Sequence, residues 1–365
     1  MEVHVSAMRG KMGSRTYYAC LMPMTAVPQF FKFTEWNGIS AEDREQRVLN
    51  AKRVPDIARY INENEDDYLF SSITASYKSP PKFSPFDGNP ETNIGTLKLQ
   101  LGDELIINDG QHRCAGIVKA LAEGSPSVKT DTLSVLLFPW ETTDRVQQMF
   151  SDLNRTVVKT SKSLDILYDK RDDLAAATLA MVEQVPVFKD LTEKEDMALK
   201  AKSTKLFTLA ALYDACSEVL KGHDKSEIMA NAALLADYWS TVATHMPDWT
   251  KAQSGFKLPL EIRQERISTH STVLRALGGL GSDLMSTPDW RDRLNLLDHV
   301  DWSKKNPEWQ DVCISANSVV SNRQARFATK AFLKKKLELP LTDAELRSVT
   351  PLHELFAPLP AALRG

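Results

Sequence analysis

The residues best suited to chemistry lie together in the pentapeptide Asp109-Gly110-Gln111-His112-Arg113. Asp109 could cap a helix, orient His112 or bind a metal, while His112 can carry a proton near neutral pH. Arg113 is a bidentate partner for phosphate or carboxylate. This set suits a phosphate or nucleotide site, with Asp109 and His112 as catalytic candidates if the protein is an enzyme. A purely structural interpretation stays open, with Asp109 as a helix cap, Gly110 in a turn, and His112 and Arg113 facing solvent.

The pentapeptide falls where a strand is expected to end and a helix to begin. The apolar run at 104–108 predicts a strand, Gly110 permits a tight turn, and the apolar spacing over 111–122 predicts a helix. Backbone N–H groups point outward at a helix N-terminus, where they attract anions. We therefore expect residues 109–113 to bind a phosphate or a nucleotide.

A second polar cluster follows a helix that we expect to begin after Thr142 or Thr143. Its candidates for contact with a DNA backbone are Asn154, Arg155, Lys159 and Lys162. Taken alone, the cluster also fits a helix C-terminus whose cations match the helix dipole. Both interpretations stay open on the residues alone.

A third candidate site is a basic stripe in the last part of the chain. Its members are spaced three, four and four residues apart and are Arg323, Arg326, Lys330 and Lys334. This spacing places them along one face of a helix, and no acid interrupts residues 321–336. The stripe predicts contact with DNA phosphates, and the structural alternative is a solvated helix face with cations near its C-terminal end.

Composition restricts how nucleic acid could be bound. The formal net charge of the 365 residues is −3, so a DNA contact must come from a local basic patch and not from a globally basic protein. No stretch approaches the roughly 20 apolar residues of a membrane span, and the polar N-terminal segment has no apolar core of a signal peptide. We therefore expect a cytoplasmic protein without a membrane partner.

Cysteine and histidine spacing predicts no metal site. The four cysteines form no CxxC pair, the seven histidines show no zinc spacing, and no Walker A or GxGxxG motif is present. Cys114 stands beside Arg113, which could lower the pKa of its thiol. The roles of Cys20 and Cys114 stay open.

The pattern of apolar residues divides the chain near residue 165. Before that point we expect strands at 15–21, 68–77, 96–99, 104–108 and 133–138, helices at 41–64 and 111–122, and a loop at 78–94. After it, helical spacing recurs at 171–184, 204–221, 226–245, 286–298 and 320–337. We predict an α+β domain with a mixed sheet at 1–165 and a largely helical region at 166–365.

The pentapeptide DGQHR resembles the signature of the DGQHR-domain proteins. A strand followed by D-G-x-H-R and a helix is also similar to the ParB/sulfiredoxin-like fold, which the resemblance implies for the N-terminal domain. Sulfiredoxins carry a cysteine before the His-Arg pair, where this chain has Gln111. The resemblance to ParB-type proteins implies that Gly110, His112 and Arg113 hold phosphates of a nucleotide, ATP or CTP with Mg²⁺.

Further segments resemble the DndB family, whose members belong to DNA phosphorothioation, the replacement of a non-bridging phosphate oxygen by sulfur. They are residues 13–18, 47–61, 148–155 and 161–169. The resemblance implies a repressor that binds the promoter of the modification genes, with DNA and other sulfur-modification proteins as partners. We also expect a homo-oligomer, whose number of subunits stays open. A nucleotide-dependent ATPase or nuclease using the DGQHR turn, and a scaffold for the modification machinery, stay open as alternatives.

Overall fold

The computed structural model describes residues 2–31, 49–103, 105–155, 160–224, 226–316 and 318–349. The chain divides into two compact units, Met1–Val158 and Lys159–Gly365, which are described here one at a time. The domains expected at 1–165 and 166–365 stay a prediction.

The first unit is built on a seven-stranded mixed sheet. Its strands in chain order are β1 Glu2–Met12, β2 Arg15–Pro23, β3 Ile73–Tyr77, β4 Lys82–Pro85, β5 Ile94–Gln100, β6 Leu105–Asp109 and β7 Thr132–Pro139. The order across the sheet is β4-β5-β1-β2-β7-β3-β6. Strands β3 and β7 pair in parallel and the other pairs are antiparallel, which confirms the expectation of a mixed sheet.

Five α-helices accompany this sheet in the described part of the first unit. They are α1 Val27–Phe30, α2 Val54–Glu63, α3 Gln111–Glu123, α4 Pro126–Thr130 and α5 Thr143–Arg155, with short 3-10 helices at Met24–Ala26 and Ala51–Arg53. Alternate residues of the strands, such as Val135 and Leu137 in β7, share one hydrophobic core with Ala58 of α2 and Ile117 of α3. The alternation typical of strands and the helical spacing of α2 and α3 thus bury their apolar residues together.

The second unit is largely helical in its described residues. Its α-helices are α6 Lys162–Tyr168, α7 Asp173–Gln184, α8 Pro186–Leu191, α9 Leu209–Val219, α10 Ile228–Thr244, α11 Pro247–Gln253, α12 Pro259–Glu265, α13 Ser271–Leu284, α14 Trp290–Leu294, α15 Arg323–Lys336 and α16 Asp343–Val349. Two-residue strands pair as β8 Thr192–Glu193 with β9 Phe207–Thr208 and β10 Ile314–Ser315 with β11 Ser318–Val319, and 3-10 helices lie at Asn295–His299 and Pro307–Trp309. An aromatic cluster of Phe188, Phe207, Trp239 and Trp249 lies in its core.

Several boundaries differ from those expected. The helix predicted at 41–64 is observed only as α2, and residues 41–48 lie outside the described part of the chain. The strand predicted at 68–77 begins only at Ile73, and the loop at 78–94 contains the short strand β4. None of the helices in the described residues has the length and apolar character that a membrane crossing requires.

Candidate functional site

The turn between β6 and α3 requires a glycine. Gly110 has a φ of +101°, and a Cβ atom at this position would lie 2.3 Å from Cδ1 of Ile73. Gly110 is also the N-cap of α3, and the N–H of Cys114 donates to its carbonyl at 3.0 Å. Because a glycine cap has no side-chain acceptor, the N–H groups of residues 111–113 form an uncapped helix N-terminus, which attracts an anion.

The side chain of Arg113 stabilises this turn through hydrogen bonds. Its Nη2 donates to Oδ2 of Asp109 at 2.6 Å, and its Nη1 donates to Oγ of Ser71 at 2.6 Å and to the carbonyl of Ser72 at 3.0 Å. The Ser71 carbonyl accepts another bond from Nη1. The side chain is 19% exposed, so most of its donors serve the protein and the charge of Asp109 is neutralised within the turn. The phosphate contact expected of Arg113 stays a prediction that this geometry does not favour.

His112 connects the start of α3 to a distant segment. Its Nε2 accepts a hydrogen bond from the N–H of Asn50 at 3.0 Å. A ring nitrogen that accepts a hydrogen bond carries no proton, so this contact requires the neutral imidazole with its proton on Nδ1. The acceptor nitrogen is therefore already occupied by the protein's own backbone.

Gln111 differs from its neighbours because its amide donors are unused. The residue is 8% exposed, and its Nε2 has no hydrogen-bond partner. A buried amide nitrogen without a partner costs free energy in an otherwise well-bonded protein. Gln111 is also one of the residues that line a pocket.

The pocket has a volume of about 220 Å³ and is assembled from four parts of the first unit. All five residues of the pentapeptide line it, and so does Asn154 at the end of α5. The lining residues that were not anticipated from the sequence as members of a site are Arg53, Ile57, Ile107, Asn108 and Phe150. Arg53 lies in the 47–61 segment that resembles the family, which is the one signal that pointed to it.

The second predicted cluster is divided between the two units. Asn154 lines the pocket and donates from Nδ2 to the carbonyl of Phe150 at 2.7 Å, while Arg155 is exposed at the last residue of α5. Lys159 lies outside the described residues. Lys162, in the second unit, forms an ion pair with Asp214 at 2.6 Å.

The basic stripe is only partly open to solvent. Arg323 is exposed at the start of α15, and Arg326 is half-buried. Lys330 pairs with Asp283 at 2.8 Å, and the buried Lys334 pairs with Glu345 at 2.8 Å. A DNA contact by all four residues of the stripe stays a prediction. Because Lys330 and Lys334 are paired with acids, only the Arg323 end of the stripe is favoured as a phosphate contact.

Arg113 does not activate the thiol of Cys114. Cys114 is fully buried, and burial raises the pKa of its thiol to about 12, an effect that the positive charge of Arg113 only partly opposes. Burial likewise raises the pKa of Cys20 to about 12. Both residues are therefore protonated thiols near neutral pH. No group of three or more potential metal-ligating side chains occurs within the part of the chain that the structure describes.

Comparison with protein families matches residues 5–340 to the model of the DndB family, described as DNA-sulfur modification-associated. The chain belongs to the DndB family. No curated protein and no solved structure matches it. The DndB match contains the pocket at 109–113 and the stripe on α15, and it associates this chain with DNA sulfur modification.

Proposed function

We propose that this DndB-family chain is a DNA-binding transcriptional regulator that represses the genes for DNA phosphorothioate modification. The observation that carries the proposal is the pocket at the N-terminus of α3, which presents helix N–H groups and an unpartnered amide to an anion. The exposed cations Arg155 and Arg323 add candidate contacts to the DNA backbone. Family membership supports the link to sulfur modification.

The local structure around β6 also supports a ParB/sulfiredoxin-like fold for the first unit. A strand ends at Asp109, a glycine with positive φ makes the turn, and a 13-residue helix begins at Gln111. In this proposal the turn contacts a phosphate group, and partners are DNA, further sulfur-modification proteins and a second copy of the chain. A homodimer would suit an operator with two related half-sites.

The enzymatic alternative receives less support from the same residues. A nucleotide hydrolase or nuclease would use Asp109 or His112 to orient a metal or transfer a proton, with ATP or CTP and Mg²⁺ as cofactors. Here Oδ2 of Asp109 accepts from Arg113 and Nε2 of His112 accepts from the Asn50 N–H. Both candidate groups already form hydrogen bonds within the protein, Asp109 inside the turn and His112 with a distant segment.

The regulator proposal is tested by fluorescence anisotropy with two DNA duplexes of equal length. One carries the promoter of the modification genes and the other a scrambled sequence, and each is measured with and without ATP or CTP. We expect the promoter duplex to bind at least about 10³-fold more tightly, the lower end for specific DNA binding, without a requirement for nucleotide. Equal affinities for the two duplexes, or ATP hydrolysis that is lost in His112→Ala, would contradict the proposal.

A further inference from the structure

The seven-stranded sheet of the first unit has one face in the hydrophobic core and a second face that is open over several strands. Val5 in β1, Leu97 in β5 and Val135 in β7 lie in the core. Helix α5 packs against the second face at β6, where Sδ of Met149 lies 3.6 Å from Nδ2 of Asn108. The second face of β5, β1, β2 and β7 is called here the open face. A solvated face of an antiparallel sheet normally carries polar side chains.

An apolar row crosses the open face instead. Met8 in β1 lies opposite Ile94 in β5 and Ala19 in β2. Ala19 in turn lies opposite Leu136 in β7. Phe86 extends the row beyond β5, because its N–H donates to the Ile94 carbonyl at 3.2 Å. The exposed fractions are 66% for Phe86, 54% for Ile94 and 57% for Met8. Contiguous exposed apolar side chains with polar surroundings indicate a surface that binds another molecule.

Two lysines lie at one end of the open face. Lys82 in β4 and Lys98 in β5 are directly opposite each other in the pairing register. Like charges in such a pair destabilise a sheet, so an acidic group from outside would stabilise this one. Glu2, the acid at the same end of β1, contacts His4 at 3.2 Å, and the two lysines outnumber it. This end of the open face is therefore cationic.

The opposite end of the β4–β5 hairpin is acidic. Asp87 and Glu91 are exposed in the loop at residues 86–93. The Thr92 hydroxyl at 2.8 Å and the Asn89 N–H at 2.9 Å donate to Asp87 and lower the pKa of its carboxyl group, which is therefore charged at neutral pH. An acidic end does not suit DNA, whereas a second copy of the chain presents one end of each sign.

These charges distinguish between two ways of packing two open faces about a two-fold axis. An axis across the strands, along the apolar row, reverses the strand direction and places the cationic end of each copy over the acidic loop of the other. An axis along the strands would keep ends of like charge level with each other. Lys98 lies roughly 13 Å along β5 from Ile94, and the acidic loop lies on the other side of Ile94.

The extent of the open face suits a stable dimer. Five chain segments about 4.8 Å apart, each contributing roughly 20 Å of length, give one face a flat area of roughly 500 Å². Two such faces together reach the roughly 1,000 Å² that a specific interface requires. The apolar row would lie in the middle of this area and the charges at its rim, which is the usual arrangement in protein interfaces.

We propose that the open face packs against the open face of a second copy of the chain in a two-fold dimer with antiparallel strand directions. The apolar rows are in contact, and Lys82 and Lys98 face the 86–93 loop of the other copy. The proposal deepens the proposed function and rests on the second copy included there. Such a dimer would present each DNA contact twice, as an operator with two related half-sites requires.

Sedimentation velocity of the full chain without DNA tests the apolar row. We expect a dimer whose dissociation depends on concentration, and Met8→Lys should weaken it roughly 100-fold because the change occurs twice in one interface. The melting temperature of dilute, monomeric protein should be unchanged, since Met8 is exposed in a single copy. The matched control is Met229→Lys on α10, where the side chain is 79% exposed and the dimer should be unaffected.

A charge exchange tests the orientation of the two copies. Lys98→Glu and Glu91→Lys should each weaken the dimer roughly 10-fold, because each places like charges opposite one another. The double variant should regain the affinity of the wild type, since the two changed residues meet across the interface. An axis along the strands predicts no such rescue.

Three results would overturn the proposal. A chain that is monomeric at every concentration would assign the open face to a different protein. A Met8→Lys dimer as tight as the wild type would remove the apolar row from the interface, and a double variant without rescue would exclude the antiparallel arrangement. Failure of the repressor function has a different signature, because equal affinity for promoter and scrambled duplexes would leave the dimer unchanged.

Discussion

Single residues determine the shape and the hydrogen-bonding groups of the pocket at the N-terminus of α3, called here the α3 pocket, which residues 109–113 help to line. Gly110 permits the positive φ that directs the chain from β6 into α3, and Arg113 holds that turn through Asp109 and the Ser71–Ser72 backbone. Gln111 differs from both because its amide serves no bond within the protein. The pocket therefore separates residues that build the site from a residue that is left available for a ligand.

Gly110→Ala should destabilise the protein and weaken DNA binding. An alanine in the left-handed region costs about 1–2 kcal/mol, and its Cβ would also meet Ile73 Cδ1 at 2.3 Å and Arg113 Nη2 at 3.2 Å. Urea denaturation should show a loss of about 2–4 kcal/mol. The control is Gly124→Ala, where φ is +87° but no atom lies within 4 Å of the added Cβ. Equal losses in the two variants would contradict the steric part of this explanation.

At the scale of elements, the close approach of α2 to α3 forms one wall of the pocket. Gly116 in α3 allows this approach, since a Cβ there would lie 2.3 Å from Cγ2 of Ile57 in α2. Ile57 and the neighbouring Arg53 both line the pocket. A glycine inside a helix, which is unfavourable for the helix alone, is thus explained by packing between two helices.

Gly116→Ala should therefore displace α2 and weaken DNA binding. Overpacking should lower the free energy of unfolding by about 1–3 kcal/mol, and the higher helix propensity of alanine should offset up to about 1 kcal/mol of that loss. Gly279→Ala in α13 is the control, because its nearest neighbour at 3.2 Å is Cδ of the flexible Lys330 side chain. Anisotropy and urea denaturation should show losses only for Gly116→Ala, and a Gly116→Ala variant with unchanged DNA affinity would be inconsistent with the α2 wall.

Helix α16 docks on α15 through a buried ion pair. Lys334 donates to Glu345 at 2.8 Å, and Glu345 also accepts from the N–H of Thr342 at 2.9 Å in a capping box. Burial raises the pKa of Glu345, but Lys334 and these hydrogen bonds outweigh that effect, so the pKa lies below its ordinary value. The charged carboxylate is therefore the form that stabilises the fold.

Acid should remove this stabilisation. A carboxyl group whose folded pKa is lowered stabilises fully above its unfolded pKa and loses the contribution as the pH falls through the folded pKa. Glu345→Gln should lower the free energy of unfolding by up to about 3 kcal/mol at pH 7, and the difference from wild type should shrink below about pH 4.5. Denaturation across pH checks this, with the exposed Asp343→Asn as control. A difference that does not vary with pH would refute it.

At the scale of the whole molecule, a net charge of −3 means that long-range attraction to DNA cannot come from the protein as a whole. Local cations must carry the phosphate contacts. In the second unit, Lys330 and Lys334 are neutralised by acids, while Arg323 is exposed. The surface charge that remains for DNA is thus smaller than the sequence of α15 indicates.

Charge reversal at Arg323 should weaken binding equally on all DNA sequences. The plot of log affinity against log salt should lose about 0.9 in slope for each phosphate contact removed. Lys251→Glu on the exposed face of α11 makes the same change in net charge away from the stripe and serves as the control. If Arg323→Glu and Lys251→Glu give the same slope, the stripe does not contact the DNA backbone.

Most helices and strands could be predicted from local spacing, and those that could not depend on distant partners. The helix at 111–122 and the buried strand at 133–138 correspond to α3 and β7. Strand β1 was missed although Val3, Val5 and Ala7 alternate with polar residues, and its pairing with β2 and β5 stabilises it. Helix α13 was missed because its glycines disfavour a helix, yet a Cβ at Gly278 would lie 2.2 Å from the carbonyl oxygen of Ala215 in α9.

The sequence by itself determined that a strand, a glycine turn and a helix meet at Asp109–Arg113, because φ freedom and apolar spacing are local properties. It also carried the pattern of the DndB family. Only the tertiary structure decided which side chains of the pentapeptide are available. Arg113 donates hydrogen bonds to residues about 40 positions away in the chain. The side-chain amide nitrogen of Gln111 has no hydrogen-bond partner, and Gln111 lines the same pocket as Arg53 and Asn154. Hydrogen bonding depends on which distant atoms come within about 3 Å, and spacing along the chain does not specify that distance.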